Sequence, residues 1–273
     1  MSRHQWQANL DRLCRSLEDY ADANGIGVPS PSSGAAAGLS DSLYLAHSTS
    51  RKNFRSVCNS GYLYSAASLA AAGGESLGPA GAEVELGATE SVFFYLSPFR
   101  YPHTSCGFLF AKSLESQHRN DGVATPFDSG GLMRICIRPD PAEPLRAFLS
   151  RHELPIPEHR RYLGLSMEVL FDKPKDYVEG LEPRRPGPIG LTGGDHRRWT
   201  HEVRIPDRVF VRGGHLQAVF APTAQVARYP PVRSLFEWCE GEGVDSIAFA
   251  APRRNDFEAL RRECLAYIRQ RLY

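Results

Sequence analysis

The chain has 273 residues, 42% hydrophobic and 23% charged, the profile of an ordinary folded protein with one large domain or a domain plus an appendage. Its net charge of +1 excludes coating of nucleic acid by bulk charge but leaves room for a local basic patch; no apolar run approaches the ~20 residues of a membrane span. The opening MSRHQWQANLDRL lacks the apolar stretch of a signal peptide, and the six cysteines form no Cys-x-x-Cys pair, so they read as buried thiols in a reducing, cytoplasmic setting with no zinc site.

In chain order, Trp6, Leu10, Leu13, Cys14, Leu17 and Tyr20 recur at helical spacing and predict a helix over 5–22, within an N-terminal unit of residues 1–27. The Pro/Ser/Gly/Ala stretch that follows predicts a flexible linker over 28–42, and the main domain is expected to run from 43 to 273. Leu43-Tyr44-Leu45-Ala46 reads as a short buried strand that delivers His47-Ser48-Thr49 at its end. A helix is expected next, capped by Ser50 or Thr49, with Phe54, Val57 and Cys58 on one face and Gly61 at its C-terminus. A Gly/Ala-rich loop is expected from 66 to 88. Strands are expected at 91–97, 107–111, 132–137, 199–205, 215–221 and 244–248. Helices are expected at 144–152 and 158–171, around 235–239 and over 255–272, with an Arg/Pro/Gly-rich loop at 183–198. Strands mixed with helices without strict alternation predict an α+β fold.

Three separated segments read together: His47-Ser48-Thr49 with Gly61-Tyr62-Leu63-Tyr64; Phe93-Phe94-Tyr95-Leu96-Ser97-Pro98-Phe99-Arg100; and Trp199-Thr200-His201-Glu202-Val203-Arg204-Ile205. In this order they resemble the His-Tyr-Glu branch of the ADP-ribosyltransferase superfamily. The second is most similar to the Phe-Tyr-Phe-x-Pro-Arg segment of DarT-type toxins, which modify DNA, with Leu96 in place of the second Phe and Phe99 inserted before the arginine. The resemblance covers roughly residues 43–222. It implies a split, mixed/antiparallel sheet flanked by helices and transfer of ADP-ribose from NAD, as co-substrate, to a macromolecule. Nucleic acid is the expected target, in a toxin, defence or effector role, with an antitoxin or immunity protein as a possible partner and no membrane.

The resemblance assigns roles. His47, Ser48, Thr49, Tyr95, Ser97 and Phe108 would hold NAD, with Tyr95 and Phe108 against the nicotinamide faces. Glu202 would put negative charge beside the oxocarbenium-like ribose, helped by His47, Tyr95 and Arg100. Arg184, Arg185, Arg197 and Arg198 would contact the target, since that position carries a target-recognition loop in such families. Thr200 stands where arginine-modifying toxins carry Glu, which speaks against a protein arginine as the acceptor.

Each residue also has a plainer explanation: Tyr95 as core, Glu202 on an exposed strand face, Arg100 as a strand-end charge, and the arginine segment as a solvated loop. The histidines show no His-x-His or His-Glu-x-x-His spacing, so no metal is expected. Phe127-Asp128-Ser129-Gly130-Gly131 reads as a tight turn, and no Gly-x-Ser-x-Gly elbow is present. A protein-modifying transferase, an NAD-dependent RNA 2′-phosphotransferase and a binding module that has lost catalysis are the competing readings.

Overall fold

Strands that are buried along most of their length, such as Cys106–Phe110, Glu202–Pro206 and Leu216–Pro222, assemble into one mixed sheet. The computed structural model describes residues 3–28, 35–72, 81–96, 98–99, 104–131, 140, 142–191, 196–251 and 256–272. The strands are β1 (Leu45–Thr49), β2 (Tyr62–Tyr64), β3 (Ser91–Tyr95), β4 (Cys106–Phe110), β5 (Val123–Thr125), β6 (Leu154–Pro155), β7 (Glu202–Pro206), β8 (Arg208–Phe210), β9 (Leu216–Pro222) and β10 (Asp245–Phe249). The helices are α1 (Arg3–Ala23), α2 (Ala35–Ser42), α3 (Arg51–Ser60), α4 (Ala66–Ala71), α5 (Gly81–Leu86), α6 (Lys112–Gln117), α7 (Leu145–His152), α8 (Ile156–Leu170), α9 (Pro174–Val178), α10 (Thr223–Arg228), α11 (Pro230–Glu242) and α12 (Phe257–Leu272).

The eight-stranded sheet has the order β10-β9-β4-β1-β3-β7-β5-β6, while β2 and β8 form a separate ribbon. Among the described strand pairs only β9 and β10 run parallel. The sheet is two four-stranded halves. β1 pairs with β4 through five residues and β3 with β7 through five. Between the halves, β1 and β3 share a single registered pair among the described residues, Ala46 with Tyr95.

Helices cover both faces. α3 carries Phe54 onto Phe108, stacked at 5.0 Å, and α12 brings Tyr267 edge-on to Phe220 at 5.8 Å. α3 forms as its sequence dictates: Ser50 accepts from the Asn53 amide, and Gly61, at φ 79°, closes the last turn through the Val57 carbonyl. A second apolar cluster gathers Leu86, Phe127, Leu145, Phe148, Leu149 and Leu191 beside Phe93.

The α+β expectation holds, and several details differ. His47, Ser48 and Thr49 lie inside β1 and do not follow it. Half of the expected linker is α2, and α1 is packed. Leu10, Leu13 and Leu17 bury against Leu154, Tyr162 and Val169, each worth roughly 1.5–3 kcal/mol. Asn9 donates to the Ser150 and Glu153 carbonyls at 2.9 and 3.0 Å. The Gly/Ala loop holds α4 and α5; α4 forms because its run is mostly alanine, the best helix former, and Ser65 caps it. The expected strand at 132–137 lies outside the described residues. No described helix is long and apolar enough to cross a membrane.

Candidate functional site at the joint of the half-sheets

Cross-strand register decides which side chains meet. Tyr95 pairs directly with Glu202, and Glu202 with Thr125. Directly opposed residues point to the same face with Cβ atoms about 5 Å apart, so Tyr95 and Glu202 stand side by side where the half-sheets join. Both are buried, at 6% and 1% exposure. Ser48 shares their face, two residues along β1 from Ala46. Its hydroxyl is buried and has no hydrogen-bond partner among the described residues.

His47 does not share that face. Successive residues of a strand alternate, and Ala46 is the residue opposite Tyr95. His47 therefore points with Phe94, whose ring lies 5.7 Å away. Its Nδ1 lies 2.9 Å from the Phe93 carbonyl across the joint. A carbonyl only accepts, so Nδ1 carries the proton and Nε2 presents a lone pair. Burial pushes the imidazole pKa down, with the Phe93 carbonyl opposing, so the ring is neutral at neutral pH. The expected meeting of His47, Tyr95 and Glu202 in one cleft is thus corrected to a Tyr95–Glu202 pair on one face, with His47 bridging the joint from the other.

The Glu202 carboxylate sits in a buried polar net. Ser129 donates its hydroxyl to Oε1 at 2.6 Å and its amide to Oε2 at 3.3 Å. Arg204, two residues on and on the same face, brings Nε to 3.6 Å from Oε1, while its terminal nitrogen is committed to Glu153. Burial and the neighbouring carboxylate of Asp128 raise the Glu202 pKa to about 8 against the pull of Arg204 and Ser129. On the opposite face His201 holds the start of β7. Its Nδ1 lies 2.9 Å from His159 Nε2, and its Nε2 lies 3.3 Å from the Ser166 hydroxyl.

The other expected residues fall in different places. Thr49 is buried in β1 beside Cys106, and Ser50, not Thr49, caps α3. Phe108 is fully buried between Phe54 and Phe110, so it fills the core and does not cover a ligand. Ser97 and Arg100 lie outside the described residues. Arg184 pairs with Asp172 at 2.7 Å on the surface, and Arg185 donates to the Val169 carbonyl at the end of α8. Arg197 and Arg198 belong to a 3-10 turn, His196–Trp199, whose Arg197 carbonyl accepts from the Asp128 amide at 2.9 Å. Only this second pair of arginines is brought next to the Glu202 net. Thr200 is buried and donates to the His196 carbonyl at 2.9 Å. Ser129, Asp128 and Arg204 were not singled out as site residues from the sequence. The signal was thin: Asp-Ser-Gly-Gly marks a turn but does not say that the turn folds back onto a strand 73 residues away.

No family model matches the chain, and no curated protein matches it. A solved structure similar to it is that of Thermosipho africanus DarTG in complex with ADP-ribose. The TM-score is 0.39 with 11% identity, over 76% of this chain and 50% of that one. The chain thus spans half the length of the chain it matches. Among the described residues, no group of three or more His, Cys, Asp or Glu side chains is placed to hold a metal ion.

Proposed function

We propose that this chain is an NAD-dependent ADP-ribosyltransferase that transfers ADP-ribose to a macromolecular acceptor, nucleic acid being the acceptor class. The observation that carries the reading is the Tyr95–Glu202 pair at the one-pair joint of a split sheet. There an aromatic ring and a carboxylate oriented by two hydrogen bonds from Ser129 face the same space.

The substrate supplies a ribose carbon that gains positive charge as its bond to the nicotinamide nitrogen breaks. Ser129 fixes both oxygens of Glu202 before any charge develops, so little reorganisation is needed during the reaction. A Glu202 pKa near 8 leaves the buried carboxyl largely protonated at neutral pH in the free protein. A cationic nicotinamide ring placed beside it favours the ionised form, which then faces the developing cation. The Tyr95 ring offers a flat surface for that ring to stack on. The Ser48 hydroxyl, buried without a partner, is available to an amide or hydroxyl of the ligand. His47 serves this site from the other face, through the Phe93 carbonyl, by fixing the spacing of β1 and β3. Tyr95 and Glu202 are covered in this structure, so substrate entry requires what lies over their face of the sheet to move.

The test uses NAD labelled on its adenylate with purified protein and single-stranded DNA, RNA or protein acceptors. The wild type is expected to label a nucleic acid, and Glu202→Gln, which keeps shape but removes the charge, is expected to lose that labelling. Undiminished transfer by Glu202→Gln removes Glu202 from the reaction and the proposal with it.

A further inference from the structure

At the end of β1 the chain turns into α3, whose first turns contribute Arg51, Lys52 and Arg55 to one wall of an open cleft of about 510 Å³. The facing wall comes from the end of α10 and the residue after it: Gln225, Arg228 and Tyr229. Among the described residues that line this space four are cations and none is a carboxylate, in a chain whose net charge is only +1. Three of the cations come from α3 and the fourth, Arg228, from α10, so both walls of the cleft carry positive charge. Arg51 is held by the Ser105 hydroxyl at 3.1 Å, and the Arg55 guanidinium lies 4.2 Å from the centre of the Tyr229 ring. One further atom points to a ligand. Gln225 is 7% exposed, and its buried carboxamide oxygen has no hydrogen-bond partner among the described residues. A buried acceptor left without a donor is costly. The missing partner carries an O–H or N–H, which a phosphate diester does not supply but a sugar or base does.

Phosphate-binding cations, an orphan acceptor and an aromatic ring beside an arginine together describe nucleotide units, the combination by which proteins hold single-stranded nucleic acid. We propose that this cleft holds phosphorylated nucleotide units of the acceptor strand, with Arg51, Lys52, Arg55 and Arg228 on successive phosphates and Gln225 receiving a sugar or base donor. The proposal rests on the transferase reading for its purpose, because the strand held here is the one to be modified. The cleft opens at Ser50, two residues beyond Ser48 along the chain, at most about 7 Å of extended backbone, so a bound strand lies within reach of the joint. The same chemistry could come from the two phosphates of NAD, and the experiment separates the two sources.

Binding of a 5′-labelled single-stranded DNA 12-mer, and of the RNA of the same sequence, is followed by fluorescence anisotropy across a salt series. It is measured with and without NAD, for the wild type, Lys52→Gln/Arg228→Gln and Gln225→Leu. Lys52 and Arg228 are exposed, so their loss leaves the fold intact. Each phosphate pairing contributes about −0.7 to the slope of log affinity against log salt, so four give about −3, and the double variant is expected to lose about 1.4 of that. Gln225→Leu is expected to weaken binding roughly tenfold with the slope unchanged, since it removes a neutral hydrogen bond. NAD consumption without acceptor is measured on the same samples and is expected to be unchanged in the double variant. Oligonucleotide binding by the double variant with the wild-type slope overturns the proposal. So does a loss of NAD consumption with oligonucleotide binding intact, which assigns the cleft to the dinucleotide. Salt-dependent binding lost in the variants, in a protein that never consumes NAD, sustains the cleft and overturns the transferase reading instead.

Discussion

Two buried glutamates, each beside an arginine, are built in opposite ways. Glu115 on α6 is gripped by Arg160 of α8 in a two-pronged pair, Nε to Oε2 at 2.6 Å and a terminal nitrogen to Oε1 at 2.7 Å. The same guanidinium donates to the Leu43 carbonyl at 2.8 Å and to that of Ser40. Every nitrogen of the guanidinium has a partner, and the pair fastens α2, α6 and the approach to β1 onto α8. Glu202 has an arginine whose nearest nitrogen stops at 3.6 Å and whose terminal nitrogen goes to Glu153. Burial pushes both carboxyls up. At Glu115 the bidentate guanidinium opposes this, whereas at Glu202 the second carboxylate of Asp128 adds to it. A glutamate that exists to hold helices together is given a full partner. One left half-neutralised beside another acid is poised to change its charge when a ligand arrives.

The contrast can be broken first at Arg160. Arg160→Met leaves Glu115 buried and alone, and about 3–5 kcal/mol of unfolding free energy should disappear in urea titrations. Adding Glu115→Leu should return most of it. A loss below about 1 kcal/mol would class the pair with surface ion pairs and dissolve the comparison.

Glu202→Gln should show the reverse profile. ADP-ribose transfer should fall by about a hundred- to a thousandfold, equivalent to roughly 3–4 kcal/mol. Stability should change little at neutral pH, because the buried carboxyl is already largely protonated there in the free protein. A variant that unfolds as easily as Arg160→Met would mean Glu202 is structural.

pH sharpens the same point. With its folded pKa near 8 against 4.5 for an ordinary glutamate, Glu202 keeps a proton that the unfolded chain has lost between those values. Its contribution to stability is therefore fully present below about pH 4.5 and is lost as pH rises through about 8. Turnover that depends on the carboxylate should rise over the upper part of that window, so activity and stability should move in opposite directions. Asp128→Asn removes a like charge and should move the activity midpoint down. An unmoved midpoint would show that Asp128 does not reach Glu202.

The smallest effect is expected at Arg184→Gln. Its pair with Asp172 is exposed on both sides and screened by solvent, so neither melting nor transfer should change measurably. A large loss of transfer would restore the arginine at 184 to target binding.

What the sequence made legible follows from range. α3 could be read to the residue, because its cap, its buried face and its left-handed glycine are all encoded within a dozen positions. α1 was legible as a helix but not as a packed one, since its partners Leu154, Tyr162 and Val169 lie far along the chain. The Tyr95 and Glu202 candidates came from motif order, but their adjacency is a matter of register, as is the turning away of His47. A shift of one residue in pairing exchanges the faces, and nothing local to β1 fixes it. Phe108 looked available because aromatic residues in a strand carry no mark of which face is covered. Ser129 and the Gln225 cleft depend on contacts between distant segments, which no spacing rule reports.

The joint has one more consequence. The half containing β1, β4, β9 and β10 and the half containing β3, β5, β6 and β7 are not successive in the chain; their strands interleave, so the backbone passes back and forth across the joint like stitching. A protease cutting any single connection would release neither half, and neither could be expressed as an uninterrupted fragment. Parting of β1 from β3 would be held in check by every stitch, and in amide hydrogen exchange it would register as early exchange along the facing edges of β1 and β3 while the five-pair ladders on either side stay protected.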